Sequence, residues 1–322
     1  MPPLYFWLVK KLSFYGDLLA EKTGLSKGWI GLILMASVTS LPELMVGISS
    51  SAIVQSPDLA AGDVFGSCAF NLGILAMLDA FIPGKKSLSG VASPTHMLNA
   101  ALGILLVALA GLALFLPRDI YLTSWIGVSS IIFILVYVAS IRIIYKNEQN
   151  HSGDITQNHK NTVDISLTLR QVIVRYTAMA FLIIGAALAL PYFAEHIAEM
   201  SGLKTSFVGT FFLALSTSLP EVAVSVAAIR SGSIDLAVGN LLGSNIFNVF
   251  ILAIDDLFYT KGLLLKDASD IHLVSAFSVI IMNAVVIIGL SYKAQGKRFL
   301  LAWDALLIFI IYILNLVLLV FL

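Results

Sequence analysis

Thr39-Ser40-Leu41-Pro42-Glu43 returns, letter for letter, as Thr217-Ser218-Leu219-Pro220-Glu221, 178 residues further along the chain. Both copies lie within long apolar stretches. An acid in hydrocarbon is costly and marks a functional position by default. Proline has no N–H, and its ring displaces the carbonyl four residues back, Val38 in one copy and Ser216 in the other. It also biases Leu41 and Leu219 away from helical angles. Carbonyls near Thr39 and Thr217 then need other partners in an apolar medium, and a desolvated cation suits them. Ser40 and Glu43 are three residues apart, as are Ser218 and Glu221, so hydroxyl and carboxylate share one helix face.

The duplication extends well beyond these five letters. Residues 24–43 against 202–221 match at 9 of 20 positions, and 62–81 against 239–258 at 10 of 20, each without a gap. The second block reads Gly62-Asp63-Val64-Phe65-Gly66-Ser67-Cys68-Ala69-Phe70-Asn71 and Gly239-Asn240-Leu241-Leu242-Gly243-Ser244-Asn245-Ile246-Phe247-Asn248. Ser67 faces the same way as Asn71, and Ser244 the same way as Asn248. Gly62, Gly66, Gly239 and Gly243 form small-residue ridges that admit close helix approach. Four helices meeting here supply two carboxylates, two carboxamides, four hydroxyls and free carbonyls. All are oxygen ligands without histidine or cysteine, which favours Na⁺ and Ca²⁺ over zinc, copper or the strictly octahedral Mg²⁺. Asp63 aligns with Asn240 and opens its helix; capping and a place at the mouth of an ion path are both open to it. Asn240 and Asn245 are further candidates for that path. Asp79, Asp255 and Asp256 lie near span ends and are expected at the interface. Cys68 reads as a small buried hydrophobe.

Hydrophobic residues make up 59% of the 322 residues and charged ones 12%, with mean hydropathy +0.95. Soluble domains carry about 25% charged residues, so the chain reads as an all-α polytopic membrane protein. Zero net charge gives no reason to expect nucleic acid, and a single cysteine excludes an intrachain disulfide. No cleavable signal peptide is evident, and the first helix is expected to stay as a membrane segment. Ten spans are expected, at roughly 4–20, 29–52, 59–82, 97–117, 121–145, 171–194, 205–229, 236–259, 271–292 and 301–322. The polar stretch 146–170 divides them into two groups of five, 1–145 and 171–322. His151 and His159 there read as solvated loop residues. Because five is odd, the second group starts from the opposite side of the membrane, which makes the halves inverted repeats. Thirteen lysines and arginines fall on the side of the central loop and at most six on the other, Lys10 and Lys11 included. That places the loop in the cytoplasm and both termini outside. Lys10 and Lys11 interrupt the first span and are expected to snorkel from a short or tilted helix.

The paired segments, 31–81 and 209–258, resemble the α-repeats of the sodium/calcium exchanger membrane family within the calcium/cation antiporter superfamily. The resemblance implies a site centred on Glu43 and Glu221. Around them it sets Asn71, Asn248, Ser40, Ser218, Ser67 and Ser244, with backbone oxygens of Thr39 and Thr217. It implies a non-enzymatic Na⁺/Ca²⁺ antiporter of the cell (inner or plasma) membrane, working by alternating access. Its partners would be lipid and its transported cations, it would need no cofactor, and a monomer would suffice. Many members have aspartate where this chain has Asn248, including those that co-transport potassium, so potassium dependence is not expected. A Ca²⁺/H⁺ antiporter, a cation channel and, more remotely, an intramembrane hydrolase are the alternative readings.

Overall fold

A computed structural model describes residues 7, 11, 14–15, 39–82, 84, 86–116, 125–151, 167–187, 189–230, 232–293, 297 and 300–322. These form helices and connecting turns without a β-strand. The longer ones are α1 (Leu41–Ser49), α2 (Pro57–Leu78), α3 (His96–Phe115), α4 (Val128–His151), α5 (Leu169–Ala187), α6 (Leu190–Ser201), α7 (Thr205–Thr217), α8 (Leu219–Arg230), α9 (Ile234–Phe258), α10 (His272–Tyr292) and α11 (Trp303–Phe321). Six helices are long and apolar enough to cross a membrane, or seven when the bent pair α7–α8 counts as one. Most of the expected span 4–20, with Lys10, and residues 29–38 of the expected span 29–52 lie outside the described residues.

Burial orders the helices from centre to rim. The apolar window of α9 is 89% buried and that of α2 is 78%, against 33% for α11 and 22% for α4. So α2 and α9 form the centre, and α4 and α11 present Leu135, Val138, Ile310 and Leu314 outward. Composition explains the difference. The central pair carries Gly, Ser and Asn, which pack backbone to backbone and bond across helices; the rim helices carry large aliphatics suited to lipid.

Two prolines shape the chain near the centre. The chain bends by 46° between α7 and α8, where Pro220 removes a backbone donor. Where a single span 171–194 is expected, the structure has two helices, α5 ending at Ala187 and α6 starting at Leu190. Pro191, the second residue of α6, has no N–H to donate back to the end of α5. Two π-turns flank the proline motifs, Ser50–Val54 after α1 and Gly209–Leu213 within α7. The second lies against the Gly62–Gly66 ridge of α2. A Cβ at Gly62 would come within 3.1 Å of Gly209 Cα, and one at Gly66 within 2.6 Å of Thr210 Cα.

Buried acids hold the connections. Asp79 accepts from Leu88 N (2.6 Å) and Ala302 N (2.7 Å), and Lys297 Nζ lies 3.9 Å away. Asp256, its counterpart in the second block, accepts from Leu264 N (2.9 Å), Gly127 N (3.0 Å) and Ser130 Oγ (2.6 Å). Each therefore ties the loop after its own helix to the start of α11 or α4, where a carboxylate also complements the helix dipole. A second twin set works at the other helix ends. Asp58 accepts from Ser269 N (2.7 Å) beside His272 Nε2 (3.0 Å), and Asp235 accepts from Ser93 N (2.7 Å) beside His96 Nε2 (3.1 Å). Each pair joins one half of the chain to the other.

Candidate cation site

The motif residues meet at the centre. Glu43 on α1 and Glu221 on α8 are fully buried, as are Ser40, Ser218, Ser67, Ser244, Asn71 and Asn248. The two proline turns face each other reciprocally: Ser40 Oγ donates to Glu221 Oε1 (3.0 Å), and Ser218 Oγ donates to Glu43 Oε1 (3.0 Å). Ser244 Oγ on α9 adds a second bond to Glu221 Oε1 (3.1 Å). Each serine sits just ahead of the helix that its proline opens, and its hydroxyl reaches across to the other copy's glutamate.

The remaining polar residues divide into those held by protein partners and those with free oxygens. Asn71 Nδ2 donates to Asn245 Oδ1 (3.0 Å), and Asn245 Nδ2 donates to Cys68 O (3.2 Å). Asn240 accepts from Thr39 Oγ1 (3.4 Å) and donates to Ser225 Oγ (3.2 Å). Thr217 Oγ1 lies 3.0 Å from Asp63 Oδ1 and 3.4 Å from Ser67 Oγ. Among the described residues, Glu43 Oε2, Glu221 Oε2, Asn71 Oδ1, Asn248 Oδ1 and Asp63 Oδ2 are buried without a hydrogen-bond partner. No lysine, arginine or histidine is paired with Glu43, Glu221 or Asp63 among those residues. A buried carboxylate without a countercharge is costly, and a cation taken from water supplies one. Nor do three His, Cys, Asp or Glu side chains converge there as a compact metal cluster. The donors are carboxylate, carboxamide and hydroxyl oxygens, the chemistry of hard cations.

All thirteen residues singled out in the sequence are buried in this central region. Asn240 and Asn245 serve there as ties between helices. Asp63 does not open its helix and caps nothing, since α2 begins at Pro57, six residues earlier; one of its oxygens accepts from Thr217 Oγ1 and the other has no hydrogen-bond partner among the described residues. Asp79, Asp255 and Asp256, expected at the interface, are all buried. For Asp79 and Asp256 the matching letters of the two blocks carried the signal. The His–Asp pairs went unread, because a histidine on an apolar helix and an aspartate in a distant one leave no joint pattern in the sequence.

A family model described as sodium/calcium exchanger protein matches residues 4–146 and 172–321. The chain is 26% identical over 326 residues to an uncharacterized membrane protein of Methanocaldococcus jannaschii, covering 96% of this chain and 95% of that one. It is 26% identical over 346 residues to sodium/calcium exchanger MaX1 of Methanosarcina acetivorans, at 97% and 95% coverage. Among solved structures it resembles the sodium-calcium exchanger NCX_Mj soaked with Na⁺ and Sr²⁺, with TM-score 0.65, 23% identity, and coverage of 97% and 93%. The fold, the apolar helices and the match of both halves agree: this chain belongs to the sodium/calcium exchanger protein family.

Proposed function

We propose that this protein exchanges Na⁺ for Ca²⁺ across the cell membrane by alternating access at a site centred on Glu43 and Glu221. One observation carries the reading: two fully buried carboxylates, each steadied by a serine beside the other's proline turn, and each keeping one oxygen without a hydrogen-bond partner among the described residues. Asn71, Asn248, Ser67 and Ser244, with backbone oxygens of Thr39 and Thr217, complete the ligand set. The reading includes ten spans as inverted five-helix repeats, with the polar stretch 146–170 cytoplasmic and both termini outside; the twinned hydrogen bonds support the repetition, and the lysine and arginine counts support the sidedness. A monomer suffices, because both glutamates come from one chain.

Ions and coupling follow from charge. Two glutamates match one Ca²⁺, and Na⁺ competes for the same oxygens. With the site empty, two carboxylates stand uncompensated in a low dielectric, so passage through the empty state is disfavoured. That penalty couples the fluxes and separates an antiporter from a channel. Neutral Asn248 argues for exchange independent of K⁺.

The test is ⁴⁵Ca²⁺ flux in proteoliposomes with Na⁺, K⁺ and H⁺ gradients imposed one at a time. A Na⁺ gradient alone drives Ca²⁺ uptake, and Glu43→Gln and Glu221→Gln each abolish it. Uptake driven by a pH gradient without Na⁺ would instead identify a Ca²⁺/H⁺ antiporter. Near-normal flux in both variants would remove the site.

A further inference from the structure

One buried acid has no part in the glutamate site. Asp255 is fully buried near the C-terminal end of α9, and neither carboxylate oxygen has a hydrogen-bond partner among the described residues. Its neighbour Asp256 is satisfied by three donors. Asp255 instead packs on Gly47 of α1, where a Cβ would come within 2.6 Å of its Cγ. Gly47 is one turn beyond Glu43, and Asp255 is two turns beyond Asn248, about 10 Å along the axis. Both helices therefore lead from the glutamate site to this spot. Just past Gly47, at the start of the π-turn that packs against α9, Ser50 and Ser51 are fully buried, and their hydroxyls have no hydrogen-bond partner among the described residues. Asp63 and Asp256 are close enough for their charges to act on Asp255, and the last-turn carbonyls of α9 add negative potential. No basic side chain pairs with it among the described residues.

The duplication breaks at this point. Asp255 aligns with Leu78, and Gly47 with Ser225, whose hydroxyl is bonded to Asn240. The other half thus offers neither the acid nor the space. We infer that Asp255, with the Ser50 and Ser51 hydroxyls beside Gly47, forms a second site for one desolvated monovalent hard cation, Na⁺. It lies between the glutamate site and the membrane face toward which α1 and α9 run. A single carboxylate matches a single positive charge, and hydroxyl oxygens suit Na⁺. Its role as a waypoint rests on the exchange reading; its occupancy does not.

The experiment counts Na⁺ bound at saturation by the purified full chain, using ²²Na⁺ in a scintillation proximity assay on monodisperse protein. Asp255→Asn binds one Na⁺ fewer than its parent. The same difference of one persists when Asp255→Asn is added to the Glu43→Gln/Glu221→Gln double variant. Gly47→Ala, which fills the space and keeps the acid, also loses one Na⁺, and is read alone if Asp255→Asn is not monodisperse. Unchanged stoichiometry in the variant read overturns the site. The exchange reading fails separately, if the unmodified protein shows no Na⁺-driven Ca²⁺ flux.

Discussion

The two glutamates are alike in sequence but not in support. Glu221 Oε1 accepts from both Ser40 and Ser244, whereas Glu43 Oε1 accepts from Ser218. A hydrogen bond to a charged group contributes about 1.5–3 kcal/mol. Ser218→Ala leaves Glu43 without its serine, while Ser40→Ala leaves Glu221 still held by Ser244. Ser218→Ala should therefore weaken Ca²⁺ binding by roughly tenfold or more, and Ser40→Ala by less. Calcium titration of transport for the two variants checks the order. Equal effects would mean that the serines act through packing rather than by orienting a carboxylate. The motif letters announced the chemistry of these residues, but this asymmetry was not legible, because it depends on which serine reaches across which helix.

At the scale of elements, Asp255 and Asp256 are adjacent in the sequence and opposite in role. Asp256 binds the loop at Leu264 and the start of α4 through Gly127 and Ser130. Removing it strands two buried backbone N–H groups, each costing about 1–3 kcal/mol. Asp256→Ala should therefore lower the melting temperature of the detergent-solubilised protein. In sodium-free buffer Asp255→Asn should leave the melting temperature unchanged or raise it, since it removes a buried acid that no protein group satisfies. A fall as large as that of Asp256→Ala would show that Asp255 has a structural partner. The sequence could not separate the two. Helical periodicity puts adjacent residues on different faces, but only the packed neighbours decide that one face meets backbone donors and the other a glycine. The helix break at Pro191 was legible in principle, but the apolar run 171–194 outweighed it. The bend at Pro220 was legible because a carboxylate followed the proline and the whole string was repeated.

Across the whole molecule, the two halves are joined by matching ties: Asp58 with His272, Asp235 with His96, and the crossed serine–glutamate bonds. Letter matches 178 residues apart made the duplication plain; the His–Asp ties needed the folded chain. Such pairing keeps the halves in register about a shared centre, where Glu43 and Glu221 meet. The net charge carried per cycle is then a property of the complete molecule. Exchange of three Na⁺ for one Ca²⁺, the ratio the resemblance implies, moves one charge. A membrane potential contributes about 2.3 kcal/mol per charge per 100 mV, so about 60 mV changes the attainable Ca²⁺ gradient roughly tenfold. In vesicles loaded with Na⁺ and clamped by valinomycin and K⁺, an inside-positive potential should speed Ca²⁺ uptake, because net positive charge leaves with the Na⁺. An inside-negative potential should slow it. Uptake indifferent to the clamp would require an electroneutral ratio of two Na⁺ to one Ca²⁺. A site holding only Glu43 and Glu221 as its acids balances such a ratio without any further cation position, so indifference would also remove the need for a Na⁺ at Asp255 in the cycle.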